Sequence, residues 1–194
     1  CDDCAPDVAR RYARAGYAGL SVPLVTSERA DDTLVDLMAE VERVDEQIIV
    51  VNLPGSAGYV VDLHAREIRE VADACGRKLV VAYLIGAGGD SSRTAMDSAR
   101  DGLVAHSHRS VAVINQYFGR SAQAAWTQTV KERWPGSEVA LPALTDRVAA
   151  KVRYIDMPFL QIASGGPDPL PVIERSMLRR WLEQCKPLAD LVYG

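Results

Sequence analysis

Asn52, Leu53, Pro54, Gly55 and Ser56 interrupt the chain directly after the apolar run IIVV at 48–51. A side-chain amide, a hydroxyl and a glycine-freed backbone at the end of a buried strand are groups that hold a ligand. Open α/β sheets bind their ligands outside the carboxyl ends of the strands. Three comparable breaks end later apolar runs: GAGGD at 86–90, Asn115 with Gln116, and Leu141 with Pro142. Taken alone, Asn115 reads as a residue that caps or turns the chain after its strand. Ser56, in PGSAG, invites a nucleophile reading, but the nucleophile elbow requires glycine two residues to either side. Gly58 meets that demand and Pro54 does not. The general base of such a hydrolase would also come late in the chain, and no histidine follows His108. Serine hydrolysis at Ser56 therefore ranks well behind ligand binding.

Other residues of reactive type are more scattered. Cys1 and Cys4 form a C-x-x-C pair, but zinc takes four ligands and His106 with His108 is the only other cluster. Those two histidines read as solvated loop residues. Cys75 and Cys185 fall in amphipathic segments and read as small buried hydrophobes. His64, on an apolar helical stripe, reads as a satisfied core histidine. Arg147, Lys151, Arg153, Arg175, Arg179 and Arg180 could present cations to nucleic acid. Glu174 and Glu183 share their last helix, however, and a mixed solvated face is the plainer account.

The elements that must position these residues alternate in type. Leu34, Leu37, Met38, Val41 and Val44 mark a helix over 31–44, with Asp31 or Asp32 as its cap. A strand at 48–51 follows. A helix from about 59 to 75 carries Val60, His64, Ile68, Val71 and Cys75 on one stripe and ends at Gly76. LVVAYLI at 79–85 is a second apolar strand, and a helix capped by Asp90 or Ser91 runs to about Val104. VAVIN at 111–115 is a third strand, followed by a helix marked by Ala122, Trp126, Val130 and Trp134. VALP at 139–142 is a short strand, and Thr145 with Asp146 opens a short helix. The last helix carries Ile173, Met177, Trp181 and Cys185. Strands that are apolar throughout, alternating with helices, predict a parallel sheet covered on both faces.

A length of 194 residues suits one core, and 48% hydrophobic with 25% charged residues is ordinary globular composition. No apolar run approaches the roughly 20 residues that cross a bilayer, so the expectation is a cytoplasmic protein without a membrane partner. At a net charge of −4, any nucleic-acid contact would depend on a local patch.

With these strand ends in view, the chain resembles the ParA/MinD-type P-loop ATPases, closest to the branch linked to plasmid stability and conjugative mobilisation. VINQYFG at 113–119 is similar to that branch's base-recognition strand, where an asparagine at the Asn115 position reads the adenine. LPAL at 141–144 matches the loop whose proline, here Pro142, lies beside the base. DDCAPDVARRYARAG, from Asp2, looks like the family's D-x-D-P segment, in which Asp2 or Asp3 would face the phosphates. Asn52, Pro54, Gly55 and Ser56 would form the γ-phosphate switch. The resemblance implies one three-layer α/β/α domain of P-loop NTPase type with a mostly parallel sheet. It also implies ATP and Mg²⁺ as cofactors, and a homodimer bridged by ATP. The partner would be DNA or a DNA-processing complex, in partition, stability or mobilisation.

Two departures shape that expectation. No G-x-x-x-x-G-K-[ST] phosphate loop occurs in the 194 residues, since GAGGDSS lacks a lysine. The family's loop would lie about one βα unit before Cys1, so the chain reads as a member lacking its first strand, phosphate loop and first helix. Asn52 stands where the family has an aspartate that holds a Mg²⁺-bound water. An amide keeps the oxygen but loses the charge that a hard cation prefers, so hydrolysis is expected to be weak. The alternative is a non-enzymatic interaction module that keeps the fold without the nucleotide.

Overall fold

The computed structural model describes residues 11–12, 30–53, 57–166 and 170–194. Its centre is a parallel sheet of β1 (Val80–Ile85), β2 (Arg109–Asn115) and β3 (Ser137–Leu141), in that spatial order. Helix α1 (Ala30–Arg43) precedes two short helices, α2 (Gly58–Leu63) and α3 (Ala65–Ala74). Between β1 and β2 lie α4 (Gly89–Asp101) and α5 (Leu103–His106). Between β2 and β3 lie α6 (Arg120–Ala125) and α7 (Gln128–Arg133). Helices α8 (Asp146–Val152), α9 (Phe159–Ser164) and α10 (Val172–Tyr193) follow the sheet.

Each face of the sheet is covered, as continuous apolar strands require. On one face Tyr83, Ile85, Ala112 and Ile114 pack with Ala95 of α4, Val104 of α5, Trp126 and Trp134. On the other, α10 runs against the strand direction. Trp181 donates to Pro142 O at 2.7 Å beyond the end of β3, and Arg109 at the start of β2 donates to Leu191 O at 3.1 Å. Val111 and Val113 beneath it are fully buried. Beside the sheet, Leu34, Val60, Val61, Ala65 and Ile68 form a second cluster, with Leu53 and Val81 packed against it. Val148, Val152, Ile162, Ala163 and Leu178 make a third, which ties α8 and α9 to α10. Single arginines close the helix ends. Arg77 donates to Val41 O at 2.9 Å and to Val44 O, and Arg11 donates to Val152 O, Ile155 O and Met157 O.

Several expected elements come out differently. The helix expected through Ala122, Trp126, Val130 and Trp134 is split at Trp126 into α6 and α7, and α4 is capped by Gly88, not Asp90 or Ser91, and ends at Asp101. The run at 48–51 is not a strand: no ladder engages it, and Ile48, Val50 and Val51 are exposed. A parallel strand needs a neighbour's backbone to satisfy its own, and among the described residues no ladder pairs this run with another strand. The helix expected from 59 to 75 is broken at His64, whose φ of −104° and ψ of 22° leave the helical region. The last helix keeps only part of the expected stripe. Glu174 and Leu178 are buried and Trp181 packs inward against Phe159 as expected, while Ile173 and Met177 of the stripe are exposed. A side chain that covers the sheet belongs to whichever flank meets a neighbour, and α9 meets the Leu178 flank. Gly76 does end α3 as expected, at φ 66°, with Arg77 N donating to Ala72 O at 2.8 Å.

Candidate ligand site at the strand ends

Parallel register brings three of the polar breaks to one end of the sheet. Asn115 pairs with Leu141, so Pro142 is one residue beyond Asn115's partner. Ile85 pairs with Ile114, which sets Gly86 beside Asn115. The Asn115 side chain turns back on its own chain: Oδ1 accepts from Tyr117 N at 3.1 Å and opens a single 3-10 turn, Gln116–Phe118. This is the capping role read from Asn115 alone. It also orients the amide, because an oxygen must face that N–H, and the Nδ2 donors point elsewhere. No hydrogen bond engages Nδ2 among the described residues.

Tyr117 and Phe118 follow directly and are 62% and 43% exposed, stacked edge to face with centroids 5.5 Å apart. A Cβ on Gly86 would lie 3.6 Å from the Phe118 ring, so the ring covers the tip of β1. Leu84, one residue before Ile85, is also exposed. The result is an apolar, aromatic surface with one oriented amide, suited to a flat ring that accepts hydrogen bonds. Reasoning from the sequence named Asn115 and Pro142 but passed over Tyr117 and Phe118. Two adjacent aromatics directly after a strand end were the available signal.

The GAGGD loop is less suited to phosphate. Gly88, at φ 89°, caps α4 without a side-chain bond, and Ser91 Oγ folds back on Gly86 N at 3.2 Å. Asp90 sits in the first turn, where its own carboxylate already complements the helix dipole.

Asn52 is exposed, and among the described residues no hydrogen bond joins it to Asn115 or Pro142. Its neighbour Leu53 packs against the α1–α3 cluster. Asp2, Asp3, Pro54, Gly55, Ser56, Cys1 and Cys4 lie outside the described residues. Within those residues no three His, Cys, Asp or Glu side chains gather closely enough to hold a metal ion. His64 contacts Asp31 at 3.1 Å, and His108 contacts Asp73 at 3.0 Å while accepting from Leu79 N, so each has a structural partner.

Of the basic residues, Arg147 and Lys151 converge on Glu174, at 2.8 and 2.7 Å. The hydrogen-bonded Lys151 ammonium holds the Glu174 carboxyl below the usual carboxylate range, Arg147 adding to this against the opposing effect of burial. The pairing neutralises part of the charge a nucleic-acid surface would need. Cys75 and Cys185 are free and half-buried, and burial pushes the Cys185 thiol up. No helix among the described residues is long and apolar enough to cross a membrane.

No protein-family model, curated protein or solved structure matches this chain.

Proposed function

We propose that the chain is a ParA/MinD-like, adenine-nucleotide-responsive protein of a plasmid or mobile element, acting in partition, stability or mobilisation. One observation carries the reading. Asn115 and the Leu141–Pro142 step, the two short motifs that resemble the family's base-binding strand and loop, are held side by side by the parallel register. The Nδ2 donors of Asn115, unengaged among the described residues, and the neighbouring Phe118 and Tyr117 rings supply what an adenine needs, a hydrogen-bond donor and an aromatic face. The described residues do not fit Mg²⁺: a hard dication takes several oxygens, no three acidic, histidine or cysteine side chains gather among them, and Asn52 is neutral. Nor do the 194 residues offer a phosphate-loop lysine. Binding is therefore dominated by the base and weak.

Saturation-transfer NMR with millimolar ATP tests this, because it reads weak binding atom by atom. The adenine protons should receive saturation from the protein, and Asn115→Ala should remove most of it. Equal transfer to CTP, or transfer untouched by that substitution, would refute base recognition. Calorimetry that returned micromolar ATP affinity would refute the weakness.

A second reading, an interaction module without nucleotide, is favoured by the same surface. Asn115 Oδ1 is already engaged by its own chain, and Leu84, Tyr117 and Phe118 expose apolar area. Under that reading ATP gives no saturation signal at all.

A further inference from the structure

β3 stops at Leu141 for a backbone reason: the next residue, Pro142, has no N–H with which to continue the ladder. Its carbonyl turns instead to α10 and accepts from Trp181 Nε1 at 2.7 Å. The indole is itself held from behind. Phe159 meets it edge to face, with centroids 5.7 Å apart, and the Arg11 guanidinium lies 4.5 Å over the Phe159 ring. Arg11 is in turn fixed by its bonds to Val152 O, Ile155 O and Met157 O. A rigid stack thus ends in one hydrogen bond, and that bond falls on the residue placed beside Asn115.

We propose that Trp181 is a positioning residue of the candidate adenine site: its indole N–H holds the Pro142 step against Asn115 without touching the ligand. The consequence for binding rests on the adenine reading, while the clamp itself is measurable without ligand. A loop that lies beside a base helps most when it is fixed before the base arrives, since ordering it on binding costs affinity. Backbone pairing does not fix Pro142, because the ladder ends one residue earlier, at Asn115 with Leu141. The indole supplies that order from a different element. Phenylalanine at 181 would keep an aromatic ring in the cluster that Phe159 and Leu182 share with Trp181, and would remove only the donor.

Nitrogen-15 NMR on the full chain tests the clamp. Trp126 and Trp134 donate to Glu138 and Ser137 and pack on the other face of the sheet, so their indole signals are internal controls. Millimolar ATP should shift the Trp181 indole signal and leave those two in place. In ligand-free Trp181→Phe, relaxation measurements should show the Ala143 and Leu144 amides gaining fast motion. Leu182→Ala, which thins the same cluster and keeps the donor, should leave them rigid. Trp181→Phe should also lower saturation transfer to the adenine protons about threefold or more, the scale of one net hydrogen bond, while Leu182→Ala retains it. Rigid loop amides or full transfer in Trp181→Phe would overturn the inference and leave adenine binding intact, as would a stationary Trp181 signal in a wild type that binds ATP. Mobile amides in that variant, with no adenine signal from wild type, would uphold the clamp and remove the adenine reading.

Discussion

Glu174 is a buried carboxylate: its side chain is 2% exposed and contacts two cations. Removing its charge would leave Arg147 and Lys151 facing each other across a buried amide. Glu174→Gln should therefore lower the thermal midpoint at neutral pH. The sign of the pH dependence follows from the depressed carboxyl. In the unfolded chain this group titrates near the ordinary value of about 4.3. The stabilisation is complete above that value and is lost as pH falls through the lower folded one. Thermal melts between neutral and strongly acid pH should show wild type losing its advantage over Glu174→Gln in that interval. A constant difference between the two would reject the pairing as a source of stability. Asn115 presents the opposite case, a polar residue whose visible role is local and whose spare donors carry the functional proposal.

Short elements here depend on single contacts. The N-terminus of α5 is held by Asp62, whose Oδ1 accepts from Leu103 N at 2.7 Å and from Ser98 Oγ at 2.6 Å. Gly102 leaves room for that carboxylate, since a Cβ there would lie 2.4 Å from Asp62 Oδ1. Gly102→Ala should displace Asp62, break both bonds and cost on the order of 1–3 kcal/mol in a urea titration. No loss would mean that the loop has slack. For α10 the decisive flank is the buried one. Leu178 is completely buried between α8, α9 and its own helix, so Leu178→Ala should cost about 2–5 kcal/mol. The exposed Ile173, four residues from Met177 on the expected stripe, should tolerate alanine with little change.

Across the molecule, the sheet's register aligns the functional residues, while helices on both faces hold that register. The adenine site uses the ends of β1, β2 and β3 on this frame. An adenine signal that disappears in Asn115→Ala would favour the nucleotide-responsive reading, and no signal from ATP at all would favour the interaction module. The DNA partner has the least support, because Glu174 neutralises cations that would otherwise face outward.

Much of the fold was legible from sequence. Uninterrupted apolar runs of β-branched residues marked β1, β2 and β3 and required a parallel arrangement with two covered faces. Gly76 announced the end of α3, because its backbone must adopt a positive φ. Hydrophobic type alone could not say whether the run at 48–51 finds a ladder, since pairing depends on a neighbour that the run itself does not encode. The same limit explains α10: its periodicity defined a helix, but only packing against α9 chose Leu178 over Ile173 as the buried flank. At the site, sequence named Asn115 and Pro142, and tertiary register made them neighbours and added Tyr117, Phe118 and Gly86. Local chemistry is carried by each residue; adjacency across strands is a property of hydrogen-bond register, which exists only once the sheet has formed.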